Sequence, residues 1–136
     1  MACVVDTSAF YAYLVAGDRF NQETTGLLAE LVKKGERLIS TSLVLGETLG
    51  LLQVRHGFQA AEIFMQKIHP VIVWRWVDQA MFSRMWPICK ERHLRGFTIV
   101  DASVVACIEE HPGATCIALD EDFKGFGFPL LPERAG

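Results

Sequence analysis

Four acidic residues stand where an acid is hard to explain by local structure alone. Asp6 ends the apolar run ACVV within the stretch CVVDTSAF, and Asp120 ends the run ATCIAL in the same way. Glu47 falls inside SLVLGETLGLLQVRHG, where Leu43, Val44, Gly50 and Leu51 lie three or four residues away and Val54 seven away. On a helix these positions share its face, so the spacing puts Glu47 on an apolar stripe. Asp101, in TIVDASVVACIEEH, is followed at the same spacing by Val104, Val105 and Ile108. A carboxylate on such a stripe is costly to bury without a partner. Capping offers one explanation for two of them, because Asp, Ser and Thr accept bonds from free helical N–H groups. Asp6 precedes Thr7 and Ser8, and Asp101 lies three residues after Thr98, the interval of a capping pair. Capping cannot explain Glu47 in mid-helix.

Brought into one cleft, four like charges raise one another's pKa values and repel unless a divalent cation balances them. A ligand set of hard oxygens with no His or Cys indicates Mg²⁺ or Mn²⁺ rather than zinc. Such an ion keeps several waters, and those waters can bind or attack a phosphate.

The elements that must position these acids follow from periodicity. Residues 2–5 read as a buried strand, 20–35 as an amphipathic helix closed by Gly35, and RLIST (37–41) as a second strand. A helix is expected over 42–57, with Ser42 as cap and Gly57 as stop, and another over 58–68. PVIVWRWV (70–77) reads as a third strand, 78–93 as a helix kinked or broken at Pro87, and 98–111 as a helix. Residues 114–119 form a fourth strand and FPLL (128–131) a short fifth. Strands that are almost continuously apolar, separated by helices and lacking hairpin turns, indicate a parallel sheet covered on both faces. The expected fold is a three-layer α/β/α domain with four to five strands, spanning residues 1–132, with 133–136 as a tail. Ligands of open parallel sheets bind outside the carboxyl ends of the strands, where Asp6 and Asp120 fall.

Composition narrows the function classes. With a net charge of −3 over 136 residues there is no global basic field, so a polyanionic substrate needs local basic residues or metal ions. No apolar segment approaches the roughly 18 residues of a membrane span, and the N-terminus lacks the zones of a signal peptide, so a soluble, cytoplasmic protein is expected. Cys3, Cys89, Cys107 and Cys116 form no CxxC pair and read as reduced core residues. Cys107, His111 and Cys116 fit no zinc spacing. Trp74, Trp76, Phe82, Met85 and Trp86 cluster around the third strand and its following helix and are expected in the core.

At these motifs the sequence resembles a PIN domain, and among PIN domains a VapC-type toxin, the ribonuclease half of a bacterial or archaeal toxin–antitoxin pair. The first motif of that family, an apolar strand ending in D-[ST]-S, matches VVDTSAF with Asp6 and Ser8. The mid-helix acid matches Glu47, and the Asp-Ala pair preceded by a hydroxyl residue matches Asp101 with Thr98. The closing T-x-D-x-D-F matches IALDEDF with Asp120 and Asp122, except that Ala118 stands where the family carries Thr. A hydroxyl that would orient the site is therefore missing. The resemblance covers almost the whole chain in order and spacing. It implies a Mg²⁺- or Mn²⁺-dependent endoribonuclease whose metal is held by Asp6, Glu47, Asp101, Asp120 and Asp122, with Ser8 and Thr98 in support. It also implies an RNA substrate, a homodimer, and a small antitoxin whose tail lies in an apolar groove near the active site; single-stranded or looped RNA is expected because its backbone must enter a narrow acidic cleft. Arg19, Arg55 and Arg95 are candidates for phosphate contacts. The alternative is a nuclease-silent interaction module, supported by Ala118 alone. A haloacid-dehalogenase-type phosphatase would need an acid where Ser8 stands. A topoisomerase–primase-type site would need its glutamate at a strand end rather than in a helix.

Overall fold

The computed structural model describes residues 1–133, so 134–136, most of the expected tail, lie outside the described residues. The chain runs β1 (Ala2–Val5), α1 (Thr7–Leu14), α2 (Asn21–Lys33), β2 (Arg37–Thr41), α3 (Ser42–His56) and α4 (Phe58–Lys67). It continues through β3 (Val73–Arg75), α5 (Gln79–Arg92), α6 (Ile99–Glu109), β4 (Thr115–Ile117) and β5 (Leu130–Leu131). All strand pairings are parallel, in the order β3-β2-β1-β4-β5. The chain thus builds outward from β1 to β3 and then crosses back to start the other half at β4. α1 packs with α2 and α3, α3 with α4, and α5 with α6, while α3 also reaches α6. The result is the three-layer α/β/α architecture, with five strands.

The reversal of strand order between β1 and β4 makes a crevice at their carboxyl ends. That end of the sheet carries the acids.

Several elements differ from the sequence reading for physical reasons. The third strand is confined to Val73–Arg75 because His69–Val71 forms a 3₁₀ turn containing Pro70, which has no N–H for a ladder. Thr41, not Ser42, caps α3, its hydroxyl accepting from the Val44 N–H at 3.2 Å. α5 continues through Pro87. α6 is buried from Asp101 to Ile108 without interruption, as expected of a helix that is apolar all round.

The aromatic cluster divides. Met85 is fully buried, and half-buried Trp74 lies 5.9 Å from the Phe10 ring and stacks on His69 at 5.5 Å. Trp76, Phe82 and Trp86, expected in the core, are instead 65%, 48% and 58% exposed. Met81 and Met85 form the inward stripe of α5, so Phe82 and Trp86, each one residue further on, are rotated about 100° away from it. Trp76 lies beyond the last residue of β3 and has no sheet to cover it.

A buried hydroxyl relay fixes α3 against α6. The Ser103 hydroxyl donates to the Val100 carbonyl at 2.6 Å, which leaves its oxygen to accept from Thr41 Oγ1, 2.7 Å away. Both residues are fully buried. Replacing Ser103 by Ala strands the Thr41 proton in the interior, and is expected to lower stability by about 1–3 kcal/mol. Urea unfolding checks this; an unchanged midpoint would remove the relay from the account.

Candidate active site

Asp6 is where the central strand stops and a helix begins. Its N–H donates to the Ile117 carbonyl at 2.9 Å, extending the bonding between β1 and β4 by one residue. Its own side chain then caps α1: Oδ2 accepts from the Ser8 N–H at 3.2 Å and from the Ser8 hydroxyl at 2.8 Å. The acid itself is therefore the cap of α1, the explanation that capping offered for Asp6. The Ser8 oxygen also accepts from the Leu119 N–H at 2.9 Å, which ties this turn to the segment after β4. Asp6 is 1% exposed, and its second oxygen, Oδ1, is buried with no hydrogen-bond partner.

Asp101 repeats the arrangement on α6. It forms a capping box with Thr98: the Thr98 N–H and hydroxyl donate to Oδ2 at 2.9 and 3.4 Å, and Thr98 Oγ1 accepts from the Val100 N–H. Capping and burial thus coincide, because Asp101 is also buried. Glu47 is half-buried on α3, two turns past its cap. Asp120 follows β4 and is exposed, opening a 3₁₀ turn over Glu121–Phe123 that contains half-buried Asp122. Asp122 Oδ1 lies over Gly96, so near that a Cβ there would approach to 3.4 Å.

The acids share one electrostatic field. Burial pushes the Asp6 carboxyl up to about 7, opposed by the Ser8 bonds and assisted by Asp101 and Asp120. Burial likewise raises Asp101 to about 6, against the Thr98 N–H and with help from Asp122, Asp120 and Glu47. Asp120 is raised by partial enclosure and then by Asp122 and Glu47, although its residue remains exposed to solvent. The structure therefore brings all five sequence-identified acids to one end of the sheet. Among the described residues, no three His, Cys, Asp or Glu side chains form a ready-made ligand group. What is present is a set of oxygen donors, mutually repelled, with a buried orphan oxygen on Asp6. That donor set fits a hard divalent cation, which retains waters and so needs few protein ligands.

A cleft of about 590 Å³ lies over this end of the sheet. Thr7, Ser8 and Tyr11 of α1 line it, with Asp18, Arg19 and Phe20 of the following loop, Glu47, Leu51 and Arg55 of α3, and Leu119, Asp120 and Glu121. Of the three arginines suggested from sequence, Arg19 and Arg55 line the cleft and Arg95 does not. Sequence reasoning missed Tyr11, whose hydroxyl lies 2.8 Å from His56 Nε2. The signal was present in the four-residue interval from Thr7 to Tyr11, which puts both on one face of α1. Ala118, in place of the family Thr, is buried, and its N–H donates to the Leu131 carbonyl at 3.1 Å. The cysteines are all free, and His111 Nδ1 lies 3.0 Å from the Cys107 carbonyl rather than beside a thiol.

No curated protein matches the sequence. Solved structures do. VapC20 of Mycobacterium tuberculosis, a sarcin–ricin loop cleaving toxin, superposes with a TM-score of 0.81 at 28% identity, over 93% of this chain and 95% of that one. VapBC2 of Rickettsia felis, bound to a DNA fragment from its promoter, gives 0.63 at 12% identity over 96% and 97% of the two chains. FitAcB of Neisseria gonorrhoeae gives 0.67 at 16% over 94% and 95%. The last two similarities concern the fold alone. The PIN domain family model matches residues 3–129, in agreement with the strand order and with the acids at its switch point. The chain belongs to the PIN domain family.

Proposed function

We propose that residues 1–132 form a single nuclease domain, a Mg²⁺- or Mn²⁺-dependent endoribonuclease that hydrolyses RNA phosphodiester bonds as the toxin of a type II toxin–antitoxin pair. Family membership and the likeness to VapC20 support a nuclease of the toxin–antitoxin kind. The observation that carries the metal is the buried, unpartnered Oδ1 of Asp6 within a cluster of carboxylates. Asp6, Glu47, Asp101 and Asp120 hold the ion, with Asp122 at its margin. When bound, the ion supplies positive charge to a phosphate and acidifies a coordinated water for in-line attack. Ser8 and Thr98 each bond to Oδ2 of an acid, so Asp6 and Asp101 keep a fixed orientation, and in Asp6 the other oxygen is left buried and unpartnered.

The solved toxin–antitoxin complexes of this fold support a small protein partner. An apolar groove of about 360 Å³, lined by Phe10, Leu28, Val32, Ile68 and Val71, is the surface to which we assign the antitoxin tail, although it shares no lining residue with the cleft of the acids, near which the tail was expected. No helix among the described residues is long and apolar enough to cross a membrane, and we place the protein in the cytoplasm. The exposed Trp76, Phe82 and Trp86 support a homodimer through α5.

The purified protein is expected to cleave RNA with Mg²⁺ or Mn²⁺ and not with EDTA. Asp6→Asn, Glu47→Gln and Asp101→Asn should each reduce cleavage by about a hundredfold or more while the circular dichroism spectrum is retained. Cleavage at parental rates by these variants, free of contaminating nuclease, would refute the site assignment.

The raised carboxyl pKa values link stability to pH. In the folded state Asp6 and Asp101 hold protons up to about 7 and 6, whereas unfolded they release them near 3.8. The native state therefore binds more protons, and metal-free stability is greatest below about pH 4 with respect to these groups and falls as pH rises through 6 to 7. A cation that binds the folded cluster reverses the loss, by about 2.7 kcal/mol at a hundred times its dissociation constant. Thermal melts slightly above neutral pH, at constant ionic strength, should show Tm raised by Mn²⁺ relative to EDTA. The double variant Asp6→Asn, Asp101→Asn should melt higher without metal and respond little to it. An equal metal response in parent and variant would mean that these acids do not share one metal site.

Light scattering should give a dimer for the parent, and Trp86→Glu should shift it toward monomer. A parent that is monomeric at high concentration would refute the homodimer.

A further inference from the structure

Glu47, Leu51 and Arg55 recur every four residues along α3 and line the cleft as one stripe. Eight residues at 1.5 Å each separate Glu47 from Arg55 by about 12 Å along the helix axis. α1 packs beside α3, and the two are joined by the contact between the Tyr11 hydroxyl and His56 Nε2. The Arg55 guanidinium lies 5.3 Å from the centroid of the Tyr11 ring. The loop after α1 provides a second pair of the same kind, with the Arg19 guanidinium 4.5 Å over the Phe20 ring. That loop is turned by the Phe20 N–H donating to Asp18 Oδ1 at 2.8 Å. Arg19 and Arg55 are the basic residues among those lining the cleft.

These pairs answer a difficulty that the acids create. The cleft also holds Asp18, Glu47, Asp120 and Glu121, and the chain is negative overall, so an RNA backbone is repelled unless cations stand along its path. A guanidinium set on an aromatic face offers charge to a phosphate and a flat surface to a base. Unpaired bases can use that surface, whereas bases inside an A-form helix are already stacked.

We propose that Arg55 with Tyr11, and Arg19 with Phe20, form a specificity subsite that holds unpaired nucleotides of the substrate strand beside the point of cleavage. At a stacked rise of about 3.4 Å per nucleotide, the axial span from Glu47 to Arg55 matches about three to four nucleotides. His56 keeps the Tyr11 ring in place through the hydroxyl. The subsite rests on the endoribonuclease reading, and its test separates the two.

The full chain and its variants are compared in two assays. One is Mn²⁺-dependent cleavage of an unstructured oligoribonucleotide; the other is anisotropy of the same fluorescein-labelled strand in EDTA over a range of salt. Arg55→Ala and Arg19→Ala should each weaken binding about five- to tenfold, raise KM with little change in kcat, and reduce the salt slope by about 0.7. Tyr11→Ala should weaken binding at least about fivefold without altering the slope, and Tyr11→Phe should restore most of it. Arg37→Ala, at the exposed start of β2, should change nothing. The strand annealed into a duplex should lose its dependence on Tyr11. A parent that binds and cleaves while all three alanine variants match it would overturn the subsite and leave the nuclease reading standing. A parent that binds with these dependences but never cleaves would overturn the nuclease reading alone. Absence of measurable binding in EDTA, with KM unchanged in the variants, would also overturn the subsite.

Discussion

A carboxylate buried to 1% exposure at the end of the central strand is the constraint around which this protein is arranged. A charge in that place is unfavourable unless bonds and a counter-charge compensate it. The fold provides the bonds on one side only. Ser8 satisfies Oδ2 and, through Leu119, anchors the same turn to the far side of the switch point, while Oδ1 has no partner. Folding alone is not served by that asymmetry, which leaves an unmet requirement on a carboxylate whose pKa Asp101 and Asp120 raise further.

The supporting structure is largely a set of hydroxyl groups that hold acids or the helices bearing them. Ser8 holds Asp6, Thr98 holds Asp101, and Thr41 with Ser103 sets α3 against α6 and so Glu47 relative to Asp101. Asp6 and Asp101 are themselves part of the caps of α1 and α6, whereas Glu47 lies six residues beyond Thr41, the cap of α3. Ala118 lacks the hydroxyl the family carries, yet the neighbouring Leu119 N–H is taken by Ser8. The turn is thus still tied across the two strand ends.

Two kinds of surface surround this centre and require different explanations. Phe82 and Trp86 are exposed because α5 can turn only one stripe inward, which Met81 and Met85 occupy, and Trp76 because it lies past the end of β3. In the arginine–aromatic pairs of the cleft the guanidinium groups of Arg19 and Arg55 are exposed, while the Tyr11 and Phe20 rings they lie over are half-buried. Large side chains at helical spacing therefore do not by themselves distinguish core from interface.

The parallel sheet, its strands to within one and the positions of the acids were legible from the chain, because burial on both faces forces continuous apolar runs and an acid interrupts them visibly. Asp6, Glu47, Asp101 and Asp120 could be identified one at a time, since each conflicts with its immediate neighbours. That they meet was decided by tertiary structure: β1 and β4 become adjacent only through the crossover that reverses strand order, and residues 6 and 120 have no local relation. The same holds for the bond from Leu119 to Ser8 and for the contact between Tyr11 and His56. Periodicity reports which side of an element faces inward. It carries no information about which other element waits there, and the orphan oxygen of Asp6 exists only because of the elements that closed over it.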